Sequence, residues 1–384
     1  MNIKEYAYEK DFNTPAYFFD LLEFHNCCKL VKQSLGNIPL TYSIKANPFL
    51  LYDLPDDIKY VEVCSPGELQ ICKRNKIDGN KIIYSGVNKD FDDVWDAINY
   101  GVDIVTIESN RHLEIVQKVS SEKNIIQKVI IRLTSGNQFG ISENDFCNIL
   151  SHADKYTNIA IYGIHYYSGT QKKSKQIRKD LKKLESFIDS ILRNYKFTPK
   201  LVEYGPGLSI DYFSKENNYL TTLTDVLSDI KQFSEKYPLG IEMGRFFAAS
   251  CGKYVTKIKD IKYSDDTNYI ICDGGIHHIR YHGQMLAMQI PPLYVLNSDE
   301  KERINYCICG SLCTVADVLV ADVQLPKCSI GDILIFEKCG AYSVMEGNIS
   351  FLSRDLPEIY LISRDGQIVK VREKQNTYKI NTAQ

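Results

Sequence analysis

The segment of residues 160–207 reads AIYGIHYYSGTQKKSKQIRKDLKKLESFIDSILRNYKFTPKLVEYGPG and contains one complete strand–helix–strand unit. Its two ends are nearly continuous apolar runs, which are typical of strands buried on both faces. Between them, apolar residues recur at helical spacing and predict one buried helix face, formed by Leu181, Leu184, Ile188, Ile191 and Leu192. The segment therefore predicts an α/β fold.

The same alternation repeats along the first two thirds of the chain. Eight apolar runs are predicted to be strands: TYSIKA (41–46), YVEVC (60–64), KIIYSG (81–86), VDIVTI (102–107), VIIRL (129–133), AIYGIHYY (160–167), LVEYGPG (201–207) and LGIEMG (239–244). Eight strand–helix alternations within about 200–250 residues are typical of a (β/α)8 barrel. A doubly wound sheet is the alternative, and the count of eight favours the barrel.

Beyond Arg245 the helical spacing largely disappears, and short strand-like runs separated by turns follow one another. We therefore expect two domains, a barrel over residues 19–246 and an all-β domain over residues 247–384. The early run TPAYFFD is expected to supply the β domain with a strand from residues 1–18, which makes that domain discontinuous.

The composition excludes several classes of protein. The chain has 384 residues, a hydrophobic fraction of 44% and a formal net charge of -2. Its charges are mixed and give no basic stripe of the kind that binds nucleic acid. The N-terminus lacks a signal-peptide core, and no apolar run reaches the length of a membrane span. We expect a cytoplasmic protein without nucleic-acid or membrane partners.

The 12 cysteines form no paired metal-binding spacing. Cys307, Cys309 and Cys313 lie close together, but no histidine or second cysteine pair follows at the spacing of a zinc site. In the cytoplasm such cysteines stay reduced and are mostly small buried hydrophobic residues. We expect no metal site.

The catalytic groups of such barrels lie at the carboxyl ends of the strands. That rule selects the residues that follow the predicted strands: Lys45, Glu62, Ser65, His165, Tyr167, Gly205, Gly207, Glu242 and Arg245. A group of ionisable residues at one mouth of a barrel is difficult to explain by packing alone, and it predicts an active site.

Each of these residues also has a plain structural interpretation. Burial of Lys45 in its apolar context would lower the pKa of the ammonium and favour imine formation, but a surface lysine is the alternative. The turn Gly205-Pro206-Gly207 suits a phosphate or is an ordinary turn. Glu242 and Arg245 suit a pyridine nitrogen and an anionic group, or they form a structural ion pair.

A series of motifs in the same order along the chain carries a family resemblance. The motifs are YSIKANP, VCSPGEL, IIYSGVNK, FGI, GIHYYSGTQ, YGPGLSIDY, EMGR, CGSLCTVAD and CGAY. They resemble the fold-type III pyridoxal-phosphate (PLP) decarboxylases, the group of diaminopimelate, ornithine and arginine decarboxylases. The resemblance implies an alanine-racemase-like (β/α)8 barrel with a β domain, a PLP cofactor and a homodimer with shared active sites.

The resemblance implies two sets of site residues. The residues implied to bind PLP are Lys45, Glu62, His165, Tyr167, Thr170, Gly205, Gly207, Glu242, Arg245 and Tyr342. The residues implied to bind the substrate are Arg245, Cys313, Thr314, Asp317 and Tyr342.

Three catalytic residues are implied in the same way. Lys45 would form the Schiff base with PLP, and Glu242 would pair with the pyridine nitrogen. Cys313 would return a proton to the α-carbon. Cys313 and Asp317 would both be lent to the active site of the neighbouring subunit.

Three positions depart from the pattern of the family. Tyr167 stands where a histidine usually stacks on the cofactor ring, and a tyrosine face can stack as well. Pro206 replaces the middle glycine of the phosphate loop and removes one N–H donor. Thr314 replaces the acidic residue that reads a distal ammonium. With FLSRDLPE (351–358), this feature resembles a secondary-metabolism subgroup that acts on siderophore precursors or on amino acids tethered to a carrier protein.

The sequence therefore predicts PLP-dependent α-decarboxylation of an amino acid or an amino-acid-derived substrate, either free or linked to a carrier protein. An amino-acid racemase on the same fold is one alternative, but such racemases prefer an arginine near the pyridine nitrogen, where this chain has Glu242. A binding protein without PLP is another alternative. Such relatives typically lose the lysine or the phosphate loop, whereas Lys45 and Arg245 are present.

Overall fold

The computed structural model describes residues 12–216 and 219–383. The strands are β1 (Ala16–Asp20), β2 (Leu40–Ser43), β3 (Ile58–Val63), β4 (Ile82–Tyr84), β5 (Ile104–Ile107), β6 (Gln127–Leu133), β7 (Ile159–Tyr167), β8 (Leu201–Gly205), β9 (Leu239–Met243), β10 (Gly252–Ser264), β11 (Thr267–Cys272), β12 (Leu293–Val295), β13 (Arg303–Cys309), β14 (Val318–Pro326), β15 (Ile333–Phe336), β16 (Glu358–Ile362) and β17 (Ile368–Arg372). The α-helices are α1 (Leu21–Leu35), α2 (Pro66–Arg74), α3 (Phe91–Tyr100), α4 (Asn110–Glu122), α5 (Glu143–Ser151), α6 (Ser174–Asn194), α7 (Tyr219–Lys236) and α8 (Arg245–Ala248).

Strands β2 to β9 form a closed barrel, and every neighbouring pair is parallel. Each strand coincides with one of the eight apolar runs, so the predicted (β/α)8 barrel is confirmed. The barrel closes where Leu40 of β2 pairs with Ile241 of β9. Closure brings the carboxyl ends of all eight strands to one mouth.

Helix α6 packs its apolar stripe inward, as its sequence predicts, with one exception. Leu181, Leu184, Ile188 and Ile191 are buried, whereas Leu192 is 41% exposed. At 3.6 residues per turn Leu192 lies at the edge of the stripe, so its assignment to the buried face was wrong.

The interior of the barrel changes from apolar to polar along the strands. A cluster of buried residues from five strands includes Tyr60, Ile104 and Leu201. Side chains two positions further along a strand point to the same face. On these three strands those residues are Glu62, Thr106 and Glu203, which are all buried. Polar side chains are therefore concentrated toward the carboxyl ends of the strands.

The chain divides into two compact units. The barrel unit comprises Cys27–Ile210 and Asn218–Phe247, and the β unit comprises Met1–Asn26, Asp211–Asn217 and Ala248–Gln384. Relative to the expected boundaries, residues 19–26 and 211–217 therefore group with the β unit. Strand β1 explains the first difference, because it pairs with β10 and β16. The buried Lys338 explains the second, because its ammonium donates to the carbonyls of Asp211, Ser214 and Glu216 at 2.9, 2.7 and 2.8 Å.

The β unit is built on a sheet with the strand order β14-β13-β11-β10-β1-β16-β17, and β15 links β10 to β12. The strand predicted from residues 1–18 falls partly on residues 1–11, which lie outside the described residues. Most of the cysteines are buried, and Cys313 is exposed. None of the helices in the described ranges is long and apolar enough to cross a membrane.

Candidate active site

Lys45 occupies a short 3-10 turn, Ile44–Ala46, directly after β2. Its ammonium donates to Glu62 Oε2 at 2.6 Å and lies 4.0 Å from Glu242 Oε1. The lysine side chain is 37% exposed, whereas the two carboxylates are almost completely buried. The turn therefore presents an accessible amine that two buried acids hold in place.

Glu242 on β9 has three partners at the mouth, namely Ser43, His165 and Lys45. Its Oε1 accepts a hydrogen bond from Ser43 Oγ at 3.0 Å, and its Oε2 lies 3.2 Å from His165 Nε2. Burial alone raises the pKa of the Glu242 carboxyl, but His165, Lys45 and Ser43 outweigh that effect and lower it below its usual range. Glu242 is therefore a fixed anion inside the barrel.

A thiol completes the surroundings of Lys45. Cys64 Sγ lies 3.4 Å from Lys45 Nζ and donates to Glu62 Oε1 at 2.8 Å. Burial, reinforced by the charge of Glu62, raises the pKa of the Cys64 thiol well above its usual value. Cys64 is therefore a neutral donor that orients Glu62 and is not a nucleophile.

The loops after β7, β8 and β9 meet around two glycines. Gly207 has a φ of +59°, and a Cβ placed on it would lie 2.0 Å from the carbonyl oxygen of Gly169. A Cβ on Gly205 would lie 2.6 Å from Cδ2 of Tyr167. Only glycine fits these two positions, so the backbone stays open there to a close ligand. Arg245 begins α8, and its Nε donates to Thr170 Oγ1 at 3.2 Å.

The barrel residues form a donor set that fits PLP. Lys45 supplies an amine for the aldehyde, and Glu242 supplies an anion for the pyridine nitrogen. The Gly205–Gly207 turn, Thr170 and Arg245 supply donors for a phosphate. Tyr167 contributes an aromatic ring beside Gly205, and burial raises the pKa of its phenol, which keeps the ring neutral.

The β unit carries the remaining predicted site residues. Cys313 and Thr314 follow β13, and the Cys313 side chain is exposed. Asp317 is only 2% exposed, and its carboxylate accepts from the backbone N–H groups of Ile276 at 2.8 Å and Leu312 at 2.7 Å. These hydrogen bonds indicate that Asp317 fixes the conformation of the Cys313–Thr314 loop. A sequence motif alone does not reveal this role.

Thr314 lines a cavity of about 480 Å³ that lies entirely within the β unit. The charged residues in its lining are Arg280 and Glu346, both exposed, and Gln284 and Asn348 add neutral amides. Tyr342, the other predicted ligand, has a φ of +66°, and the N–H groups of Met345 and Glu346 donate to its carbonyl oxygen. The cavity thus has a mainly apolar lining that also carries two opposite charges and two neutral amides.

Sequence reasoning missed several groups that the structure brings together. Ser43 lies two residues from Lys45, and Cys64 lies two residues from Glu62. Both could therefore have been predicted as site residues from their positions at the ends of strands. Arg280 had no such signal, because it follows no barrel strand. Arg132 Nη1 lies 3.0 Å from Glu108 Oε1, and both residues end strands that the mouth rule covers.

Comparison with known proteins agrees with this site. Residues 21–249 match the family model described as pyridoxal-dependent decarboxylase, pyridoxal binding domain. L-glutamyl-[BtrI acyl-carrier protein] decarboxylase from Niallia circulans is 27% identical over 96% of this chain and 93% of its own.

Two further proteins extend the comparison. The 2-[(L-alanin-3-ylcarbamoyl)methyl]-2-hydroxybutanedioate decarboxylase of Staphylococcus aureus is 26% identical over 90% of this chain and 93% of its own. The crystal structure of diaminopimelate decarboxylase from Helicobacter pylori, complexed with L-lysine, superposes with a TM-score of 0.86. It covers 99% of this chain and 98% of its own at 19% identity, which supports the fold.

Proposed function

This chain belongs to the pyridoxal-dependent decarboxylases, and on that premise we propose that it decarboxylates an amino-acid-derived substrate whose distal end carries no free ammonium group. The chain is thus a PLP-dependent amino-acid decarboxylase. When bound, PLP supplies an electron sink for the charge that develops on the α-carbon as carbon dioxide leaves.

The barrel residues hold and polarise the reacting groups in this proposal. Lys45 offers its exposed amine, and Glu62 fixes the position of that amine through the 2.6 Å contact. Glu242 holds a proton on the pyridine nitrogen, because a buried anion next to that nitrogen favours its cationic form. Arg245 and Thr170 would bind the phosphate group, and Tyr167 would contribute an aromatic side chain next to the cofactor.

The observation that carries the substrate class is the cavity around Thr314. A diamino acid would need a buried carboxylate opposite its distal ammonium, since an unpaired buried charge is strongly unfavourable. Thr314 has no charge, and the only acid in the lining, Glu346, is exposed and screened by water. Arg280, Gln284 and Asn348 instead suit a carboxylate, an amide or a carrier-linked distal group.

Two of the relatives support this class of substrate, whereas others are named diaminopimelate decarboxylases. One relative is named for an L-glutamyl group on an acyl-carrier protein, and the other for a carbamoyl-linked hydroxybutanedioate. Neither name describes a free diamino acid. We therefore propose a role in secondary metabolism, with a substrate that is either free or linked to a carrier protein.

A second copy of the chain completes the site in this proposal. Val315 is 99% exposed and Leu286 is 86% exposed, and Met285, Met288 and Phe351 are exposed in the same unit. Large apolar side chains of this kind are typical of surfaces that a partner covers. We propose a homodimer in which each subunit lends its exposed Cys313 to the other as the proton donor to the α-carbon.

A substrate panel with engineered acids tests the proposal. Carbon dioxide release should be fast with a carboxyl-modified or thioester-linked amino acid and slow with lysine, ornithine or meso-diaminopimelate. Thr314→Glu should raise turnover of the diamino acids, whereas Val315→Glu, which adds the same charge on the neighbouring exposed side chain, should not. Efficient turnover of ornithine or diaminopimelate by the native chain, at about 10⁴ M⁻¹s⁻¹ or more, would contradict the substrate class.

The product also separates the proposal from the racemase alternative. A decarboxylase releases carbon dioxide and an amine, whereas a racemase returns the amino acid with inverted chirality. Glu242 beside the ring position favours decarboxylation, and release of inverted amino acid without carbon dioxide would overturn the proposal.

A further inference from the structure

Lys172 lies in the loop between β7 and α6 and is buried, and the proposed function gives it no role. Its ammonium donates to Asp180 Oδ2 at 2.5 Å, to Ser168 Oγ at 3.0 Å and to the carbonyl oxygen of Gly205 at 3.4 Å. Its backbone N–H donates to the carbonyl oxygen of Gly207 at 2.8 Å. One residue of the β7 loop therefore contacts both glycines of the turn that follows β8.

Asp180 on α6 is the acceptor that these contacts share. It is buried, and its Oδ2 also accepts from Ser168 Oγ at 2.6 Å and from Tyr204 Oη at 3.2 Å. A buried ion pair is tolerated where further hydrogen bonds satisfy both of its groups, and Ser168, Tyr204 and Gly205 take part in such bonds here. The Lys172–Asp180 pair is therefore a buried link between α6, the β7 loop and the β8 turn.

The neighbouring Gln171 joins the same two loops at a second point. Its side-chain oxygen accepts from the N–H of Ile210 at 2.6 Å, and its amide group donates to the carbonyl oxygen of Ile210 at 2.9 Å. Gln171 has a φ of +56°, which a residue with a side chain adopts at a cost and keeps where the surrounding contacts fix it. Gln171 and Lys172 together therefore fix the two loops against each other.

The turn also packs directly on Lys172. A Cβ on Gly207 would lie 3.0 Å from Cε of Lys172, so the two residues are in close contact. Pro206, between the two glycines, has no N–H group and leaves fewer backbone donors for a phosphate. Donors that are already held in the bound conformation bind more tightly, because less freedom is lost on binding. The position of this turn relative to Thr170 should therefore control how well a phosphate is bound.

We propose that Lys172 is a positioning residue for the cofactor phosphate, because it fixes the Gly205–Gly207 turn against the loop that carries Thr170. Its ammonium is bonded to Asp180, Ser168 and Gly205, so it acts through the two loops. The inference rests on the proposed role of the turn and of Thr170 in binding phosphate. A residue that only stabilised the fold would affect ligands with and without a phosphate equally.

Two ligands that differ by the phosphate group test the proposal. PLP and pyridoxal share the ring and the aldehyde, and only PLP carries the phosphate. Lys172→Met removes the ammonium and keeps a flexible side chain of similar length. Its dissociation constant for PLP should rise about tenfold or more, whereas its dissociation constant for pyridoxal should rise by less than about threefold.

A second variant is needed because Lys172→Met leaves Asp180 buried without its cation, which can prevent folding. Lys172→Met combined with Asp180→Leu removes both charges and should show the same selective loss of PLP affinity. Lys73→Met is the control, since Lys73 forms a 2.6 Å pair with Asp96 between α2 and α3 of the same unit. It should leave both dissociation constants unchanged.

The outcomes separate this inference from the proposed function. An equal rise in both dissociation constants, or no rise for PLP, in a folded Lys172 variant would overturn the inference and leave the proposed function standing. Failure of both Lys172 variants to fold would also overturn it, since Lys172 would then serve folding and not the cofactor. A native chain that binds neither PLP nor pyridoxal would overturn the proposed function as well.

Discussion

Replacing Glu242 by glutamine removes the buried anion but keeps the shape of the side chain. The amide can still accept from Ser43, which lies 3.0 Å from Oε1, and can still contact His165 at the position of Oε2. The change therefore tests charge and leaves packing almost unchanged. We expect decarboxylation to slow because a neutral amide does not hold a proton on the pyridine nitrogen.

The magnitude follows from the two kinds of hydrogen bond. A bond to a charged group contributes about 1.5–3 kcal/mol and a neutral one about 0.5–1.5 kcal/mol. The difference of about 1–2 kcal/mol corresponds to a fall in kcat of about 5- to 30-fold. Affinity for PLP should change less, because the phosphate donors lie on the loops around Gly207, Thr170 and Arg245.

The assay is carbon dioxide release at saturating PLP, together with a fluorescence titration that gives the PLP dissociation constant. Ser43→Ala is the control, since it removes one neutral donor to Glu242 and keeps the charge. Its kcat should fall less than that of Glu242→Gln. A kcat for Glu242→Gln within twofold of the native value would refute the argument and leave Glu242 as a structural residue.

Two further predictions concern assembly and the glycine turn. Mixing inactive Lys45→Ala and Cys313→Ala chains should restore about a quarter of the native activity if subunits exchange, because half of the dimers are mixed and each holds one intact site. No recovery after proven exchange would argue against shared sites. Gly207→Ala should weaken both folding and PLP binding, since the new Cβ strains a positive φ and displaces Gly169. Gly101→Ala, at a φ of +84° in open space, should weaken folding and leave PLP affinity unchanged.

The barrel could be predicted from sequence because its strands are buried on both faces. Runs such as VDIVTI and LGIEMG are mostly apolar, and they alternate regularly with the intervening helices. The β unit could not be predicted at the same depth. The place of β1 between β10 and β16 depends on pairing across more than 200 residues, which no local pattern records.

Some residues of the candidate site could likewise be predicted from the sequence, and others could not. Lys45, Glu242 and Arg245 stand at strand ends, where the barrel rule and the motifs both direct attention. Glu203 was not predicted as a site residue, because it lies in the middle of strand β8 and not at its carboxyl end. Asp317 was predicted to serve the neighbouring subunit, but burial and two backbone hydrogen bonds, which become visible only in three dimensions, support a role in shaping its own loop.

The central claim is that the amine of Lys45 holds PLP, and chemical trapping tests it most directly. Reduction of the PLP-loaded protein with sodium borohydride fixes the cofactor to the lysine that holds it, and peptide mass spectrometry then locates the label. We predict one labelled site, Lys45, in the peptide containing YSIKANP, and no label in Lys45→Ala. Label on another lysine, such as the buried Lys89 or Lys172, or no label on the native chain, would contradict the account.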